Sequence, residues 1–109
     1  MKITIGTTPT IRLTVKDFEV KDDDQIHLYF SQKGKMKFKK ITPEVIYEDG
    51  KIITTLTQED TFKLNAKAGE VKMRFRLITK DGIVRASGEA FAEIDDVEDE
   101  NEVIEWIQQ

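Results

Sequence analysis

Few residues in this sequence could support catalysis, and they form no recognisable catalytic pattern. The 109-residue chain has one histidine, His27, and no cysteine, so thiolate chemistry and disulfides are excluded. A nucleophile needs a base within hydrogen-bond reach and a third group that orients the base. Ser31 and Ser87 have no such motif around them, and His27 occupies an outward position of a predicted strand. We therefore predict that the protein is not an enzyme and has no catalytic residue and no cofactor.

Two acidic clusters offer the oxygen ligands that calcium and magnesium bind. They are Asp22-Asp23-Asp24 and the acids between residues 95 and 102. Their spacing does not match the EF-hand loop, which alternates its acids and needs a glycine and a distal glutamate. The first cluster more simply stabilises a turn between two strands. No metal site is predicted.

A lysine-rich hairpin is the main basic feature. Lys35, Lys37 and Lys39 alternate along one predicted strand, so we predict that they share one face. Such a stripe could follow a phosphate backbone, or it could prevent strands of different molecules from pairing at an edge. The net charge of −4 disfavours nucleic acid as the partner.

Acidic residues are concentrated at the end of the sequence. Residues 93–109 contain eight acids and no base, so the rest of the chain is mildly basic. We divide the chain into a β-sandwich domain, residues 1–95, and an acidic C-terminal tail, residues 96–109. No apolar run approaches the roughly 20 residues that cross a bilayer, and the first residues lack a secretion signal, so we expect a soluble protein made inside the cell, with no membrane partner.

The acidic tail also carries apolar side chains, among them Ile104, Trp106 and Ile107. Acidic segments of this kind often fold only against a partner, and packing on the chain's own domain is the alternative. The lysine stripe and the tail are complementary in sign, and they could meet within one chain or between copies in a homo-oligomer. The predicted partner-binding residues are Lys35, Lys37, Lys39, Ile104, Trp106 and Ile107.

Hydrophobic alternation with period two dominates residues 11–94 and predicts half-buried strands. Asp49-Gly50 and Asp81-Gly82 suit two-residue type I′ turns, and Gly34 marks a third hairpin. Thr57 begins a near-capping box, which predicts one helical turn at residues 58–63. We predict an all-β, immunoglobulin-like antiparallel β-sandwich of about seven strands with one short helical turn. The predicted core is Ile11, Leu13, Val15, Ile26, Leu28, Phe30, Phe38, Leu56, Phe62, Leu64, Val71, Met73, Phe75, Leu77 and Ile94.

Three stretches of the sequence resemble small proteins from the tail and baseplate region of prophages in Gram-positive bacteria. These stretches are Gly6-Thr7-Thr8-Pro9-Thr10 leading into Ile11–Val15, then Leu56-Thr57-Gln58-Glu59-Asp60-Thr61-Phe62-Lys63-Leu64, and Lys80-Asp81-Gly82 followed by Arg85-Ala86-Ser87. They are also similar to the N-terminal domain of baseplate upper proteins, which is an immunoglobulin-like sandwich. The resemblance covers residues 2–94 and not the acidic tail.

The resemblance implies a structural or assembly role that acts through protein–protein docking, and it brings no catalytic residues. Other phage tail or baseplate proteins would be the partners. The protein would then be found in the bacterial host cytoplasm during assembly, or in the virion. Two alternatives stay open: a carbohydrate-binding module, which would share the sandwich fold, and a nucleic-acid-binding accessory module, which rests on the lysine-rich hairpin.

Overall fold

The computed structural model describes residues 2–15 and 19–95, which form a sandwich of two β-sheets. The strands in these residues are β1 (Lys2–Thr4), β2 (Thr10–Thr14), β3 (Gln25–Gln32), β4 (Lys35–Ile41), β5 (Val45–Glu48), β6 (Lys51–Thr55), β7 (Val71–Ile78) and β8 (Val84–Asp95). One turn of α-helix, α1 (Gln58–Phe62), and a 3-10 turn at Ala66–Ala68 connect β6 to β7.

The strand order establishes the architecture. One sheet has five strands in the order β1-β8-β7-β3-β4, and the other has three in the order β2-β6-β5. The third strand therefore pairs with the seventh, and the seventh pairs with the eighth. The predicted sandwich is confirmed, but it is not antiparallel throughout, because β1 runs parallel to β8. The chain crosses to the other sheet after Thr4, so β1 lies beside the last strand instead of forming a hairpin with β2.

Two of the predicted hairpin turns have the expected backbone conformation. Lys33 and Gly34 have φ angles of 49° and 77°, and Asp49 and Gly50 have 52° and 74°. A type I′ turn needs positive φ at both central residues, which matches the twist of the flanking strands. Both predictions are confirmed.

The β7–β8 connection differs from the predicted two-residue turn. Only Gly82 has a positive φ there, 83°. The Thr79 amide donates to the Ile83 carbonyl (2.9 Å), and the Ile83 amide donates to Thr79 Oγ1 (3.2 Å). The register also shifts between Leu77 and Ile78. The type I′ prediction is wrong here because these bonds close a wider loop.

The helical turn begins at a capping box, as predicted. The Asp60 amide donates to Thr57 Oγ1 (3.0 Å), and the Thr57 amide donates to Asp60 Oδ2 (2.8 Å). Leu64 is buried, but Phe62 is 54% exposed, so its prediction as a core residue is wrong. Asp60 and Thr61 are the buried residues of this turn, and the Thr61 hydroxyl donates to the Thr7 carbonyl. Successive helical residues point about 100° apart, so a turn that buries both Asp60 and Thr61 leaves Phe62, about 200° from Asp60, facing outward.

The core lies between the sheets and follows the predicted alternation. Val15 and Ile94 are only partly buried, while the remaining predicted members other than Phe62 are buried. Four buried hydrophobic residues were not predicted: Ile3, Val45, Ile52 and Ala92.

Large side chains of β7 face small residues of β8 across the core side of their sheet. The facing pairs are Val71 with Ala92, Met73 with Ala90, Phe75 with Gly88, and Leu77 with Ala86. This alternation of size lets the pairs fill the layer without overlap. A Cβ at Gly88 would lie 2.8 Å from Phe75 Cζ.

Replacing Gly88 with alanine is therefore expected to lower the free energy of unfolding by about 1–3 kcal/mol, the usual cost of overpacking a core. Urea unfolding followed by circular dichroism measures the change. Adding Phe75→Leu should recover part of the loss, because the two positions are in contact. Ser87→Ala, on the opposite face of β8, is the matched control and should change stability by less than about 0.5 kcal/mol. An equal loss in both variants would refute the packing argument.

Candidate functional site

The side of the five-stranded sheet that points away from the three-stranded sheet carries an unusual set of side chains. We call this side the outer face. Alternation along β7 buries Val71, Met73, Phe75 and Leu77 and turns the basic residues between them outward. The outer face is formed by Tyr29, Ser31, Met36, Lys39, Lys72, Arg74, Arg76, Glu89 and Phe91.

A concavity of about 660 Å³ lies on the outer face. It is lined by Tyr29, Ser31, Lys33, Gly34, Met36, Ala68, Glu70, Lys72, Arg74, Arg76 and Phe91. Four of these residues are basic and one is acidic. Glu89 lies beside two of these cations, Lys72 and Arg74, so four cations still outnumber two carboxylates and the net positive charge favours an acidic ligand.

Two exposed apolar side chains flank this concavity. Met36 on β4 is 59% exposed, and Phe91 on β8 is 54% exposed. They belong to one row across the sheet, since Met36 lies opposite Ser31, Ser31 opposite Lys72, and Lys72 opposite Phe91. At about 4.8 Å between neighbouring strands, the two side chains are roughly 14 Å apart. This distance leaves room for one strand or helix of a ligand.

An ion-pair cluster orders the middle of the outer face. Arg74 Nη2 lies 2.6 Å from Glu89 Oε1, and Lys72 Nζ lies 3.3 Å from the same oxygen. Hydrogen bonds from Arg74, and then from Lys72, lower the pKa of Glu89. Glu89 therefore stays ionised at neutral pH and holds both cations in place.

Arg76 is the cation that this cluster does not engage. Its guanidinium carbon lies 5.9 Å from the centre of the Tyr29 ring, a cation–π geometry that holds the side chain over the face. Within residues 2–15 and 19–95, no carboxylate forms an ion pair with Arg76. Its full charge is therefore available to an acidic ligand.

His27 lies on the same side of the sheet, but its ring nitrogens contact no candidate nucleophile among the described residues. Its Nε2 is 3.2 Å from Gln25 Oε1, and its Nδ1 is 3.3 Å from the Tyr29 hydroxyl. Ser31 lies four residues further along β3, about 13 Å away, and donates instead to the Lys72 carbonyl. Burial lowers the pKa of His27, and the nearby charges of Lys39 and Arg76 lower it further. His27 is therefore neutral at pH 7.

The lysine stripe predicted on β4 is not continuous. A bulge shifts the register, so that Phe38 lies opposite Phe30 and Met36 lies opposite Ser31. Lys37 is the extra residue of the bulge, Lys39 lies opposite Tyr29, and Lys35 lies opposite the buried Gln32. The prediction that Lys35, Lys37 and Lys39 share one face is therefore wrong. Their partner-binding role stays a prediction, and all three lie on an edge strand, where lysines prevent strand addition.

Lys40, next in this strand, points inward and is buried. Its Nζ lies 2.5 Å from Asp60 Oδ2 and 3.2 Å from Glu44 Oε2. Burial by itself would lower the pKa of Lys40, but the hydrogen bonds to Asp60 and Glu44 outweigh it and raise the pKa. Lys40 thus belongs to the structural core and not to the outer face. Lys40 lies two residues after the buried Phe38, and side chains at this spacing in a strand point to the same side. This spacing was the sequence signal for its burial.

The basic row on β7 was the part of the site that the sequence reasoning missed. Lys72, Arg74 and Arg76 were recognised only as the outward positions of a strand. Three cations at period two were a sufficient signal for a charged sheet face. Met36 and Phe91 could not have been identified as flanks, because only the pairing of four strands brings them into one row. The predicted residues Ile104, Trp106 and Ile107 lie outside the described residues.

The Asp22-Asp23-Asp24 cluster forms the predicted turn. Asp24 Oδ2 accepts from the Lys21 amide (2.9 Å) and lies 3.3 Å from Arg85 Nη1. In the described ranges, no group of three or more histidine or acidic side chains is placed to hold a metal ion. No helix among the described residues is long and apolar enough to cross a membrane.

Comparison with protein-family models, with curated proteins and with solved structures finds no match for this chain.

Proposed function

We propose that the protein is a non-enzymatic structural or assembly protein of a phage tail or baseplate. It acts by binding an acidic segment of another tail or baseplate protein on its outer face. The observation that carries the docking role is the basic concavity between Met36 and Phe91. The phage setting, with its place in the host cytoplasm during assembly or in the virion, is supported by the sequence resemblance over residues 2–94.

The chemistry of the outer face specifies the kind of partner. Arginine and aromatic side chains at the centre of a surface are typical of residues that dominate protein–protein binding. Arg74 and Arg76 would bind carboxylates, and Arg74 is already ordered by Glu89, so little of its conformational entropy is lost on binding. Met36 and Phe91 would bind apolar side chains that alternate with the acids of the partner.

A polyanion such as nucleic acid fits this face less well. Glu89 pairs with both Lys72 and Arg74 and offsets part of their charge, and Glu70 also lines the concavity. A phosphate backbone carries a charge at every nucleotide and would place some of them beside these carboxylates, whereas an acidic peptide can place its neutral side chains there. A carbohydrate would need exposed aromatic rings for stacking, and among the described residues Phe91 is the one aromatic side chain of the outer face that is more than half exposed.

The test is binding to the purified tail and baseplate proteins encoded by neighbouring genes. We expect one of them to form a complex with the full chain, measured by isothermal titration calorimetry. Lys72→Glu combined with Arg76→Glu should weaken this complex at least about tenfold, because two attractive charges become repulsive. DNA of similar length, used as a competitor, should not displace the partner.

The matched control is Arg12→Glu combined with Lys51→Glu, two exposed positions on the three-stranded sheet. It makes the same change in net charge and should leave the affinity unchanged. The proposal fails if no neighbouring protein binds, if both double variants weaken binding equally, or if DNA displaces the partner.

A further inference from the structure

We infer that residues 96–109 of the same chain occupy the outer face when no partner is bound, so that the tail and the partner compete for it. This inference rests on the proposed function, because both ligands use one surface. It assigns the tail a regulatory role: docking requires a ligand that displaces it.

Charge complementarity is the first argument. Residues 96–109 contain six acids and no base. The concavity is lined by four cations and one carboxylate, and Glu89 beside it pairs with Lys72 and Arg74. Arg76 has no carboxylate partner within the described residues. The tail thus has the composition of the acidic ligand that the face selects, and its carboxylates would supply the counter-charge that Arg76 lacks.

The apolar residues of the tail are the second argument. Ile104, Trp106 and Ile107 follow the acidic run within a few residues. Met36 and Phe91 are each more than half exposed on the two sides of the concavity. An indole between these side chains would contact both of them, and tryptophan is enriched among the residues that dominate binding at such surfaces.

The position of the tail in the fold is the third argument. Asp95 is the last residue of β8, and Phe91 precedes it on the same strand. At about 3.3 Å per residue, Phe91 lies roughly 13 Å back from Asp95. After a reversal of about four residues, the remaining ten could extend roughly 33 Å along the face, beyond the level of Ser87. The tail is therefore long enough to reach the whole concavity, and its attachment gives it a high effective concentration there.

Trp106 makes the inference directly testable, because it is the only tryptophan of the chain. In the full-length protein at low salt, we expect a blue-shifted emission and restricted quenching by iodide and by acrylamide. Lys72→Glu combined with Arg76→Glu should weaken tail docking about tenfold and restore the emission of a solvent-exposed indole. The control pair Arg12→Glu with Lys51→Glu should leave the emission unchanged. Circular dichroism would establish that both variants are folded.

Dilution separates docking within one chain from docking between copies. The emission should not change over about a hundredfold dilution, because an intramolecular contact is independent of concentration. A tryptophan exposed in the unmodified protein would overturn the inference. So would protection that both double variants retain, or protection that dilution removes, which would assign the face to the tail of a second copy. None of these measurements uses the partner, so the tail inference can fail while the docking function stands.

Discussion

Replacing Lys40 with methionine is expected to lower the free energy of unfolding by about 3 kcal/mol, as when one member of a buried ion pair is removed. The side chains of Lys40 and Asp60 are only 8% and 11% exposed, and their charged atoms are 2.5 Å apart. Methionine keeps most of the packing volume but leaves the Asp60 carboxylate without its cation. Chemical denaturation at pH 7 measures the loss.

The pH dependence of this loss identifies its cause. Burial alone would raise the pKa of Asp60, but hydrogen bonds from Lys40 and from Thr57 lower it below its ordinary value of 3.8. A carboxyl whose pKa is lower in the folded state stabilises the fold when the pH is above its pKa in the unfolded state. This contribution disappears as the pH falls through its pKa in the folded state. The difference between the variant and the parent should therefore be constant at neutral pH and shrink below about pH 4. At alkaline pH, the raised pKa of Lys40 means that its contribution to folding stability is lost only above pH 10.5.

Two further variants test this assignment. Lys39→Met, at the exposed neighbouring position, should change stability by less than about 0.5 kcal/mol. Adding Asp60→Asn to Lys40→Met should cost less than the sum of the two single changes, because the pair acts as a unit. Additive losses, or a loss for Lys40→Met that is unaffected by acid, would show that the ion pair is not the cause.

Replacing Phe30 with alanine is expected to be more damaging, by about 3–5 kcal/mol. Phe30 is fully buried on β3, and its ring stacks on Phe38 with 4.4 Å between the ring centres. Truncation removes this contact and leaves a cavity that the two rigid sheets cannot close. Since a domain of this size is stable by only 5–15 kcal/mol, thermal unfolding of the variant should begin near room temperature.

Exposed phenylalanines provide the comparison. Phe62→Ala and Phe91→Ala should each change stability by less than about 0.5 kcal/mol, because both rings already contact water. Phe91→Ala should nevertheless weaken docking on the outer face, since it removes one flank of the concavity. A large loss of stability for Phe62→Ala would contradict its outward position in α1.

These variants separate the two surfaces of the five-stranded sheet. Its inner side carries the stability of the fold, through Phe30, Lys40 and the Phe75–Gly88 contact. Its outer face carries charge and exposed apolar area that the fold does not need, since Met36, Arg76 and Phe91 contribute little burial. Stability and docking should therefore respond to different sets of substitutions, which makes the proposed function testable without loss of folding.

The local features of the fold were predictable because they depend on residues close in sequence. Alternation identified most of the strands and most of the core. The Asp49-Gly50 turn and the Thr57 cap also involve only a few consecutive residues. Predictions that depended on contact with a distant segment were less successful. Phe62 was assigned to the core because the sequence did not show which side of α1 faces the core.

The sequence by itself determined the class of fold. Apolar side chains that recur at every second residue can all be buried only if the chain forms strands around a shared core. It also determined the sign of the charge on each segment and the absence of thiol chemistry. The tertiary structure alone decided which charges became exposed surface and which became core. The bulge at Lys37 breaks the lysine stripe, the inward register of Lys40 joins it to Asp60, and the β4-β3-β7-β8 pairing brings Met36, the β7 cations and Phe91 into one concavity. These arrangements depend on register between strands distant in sequence, which is set by the packing of the whole sandwich and not by any local run of residues.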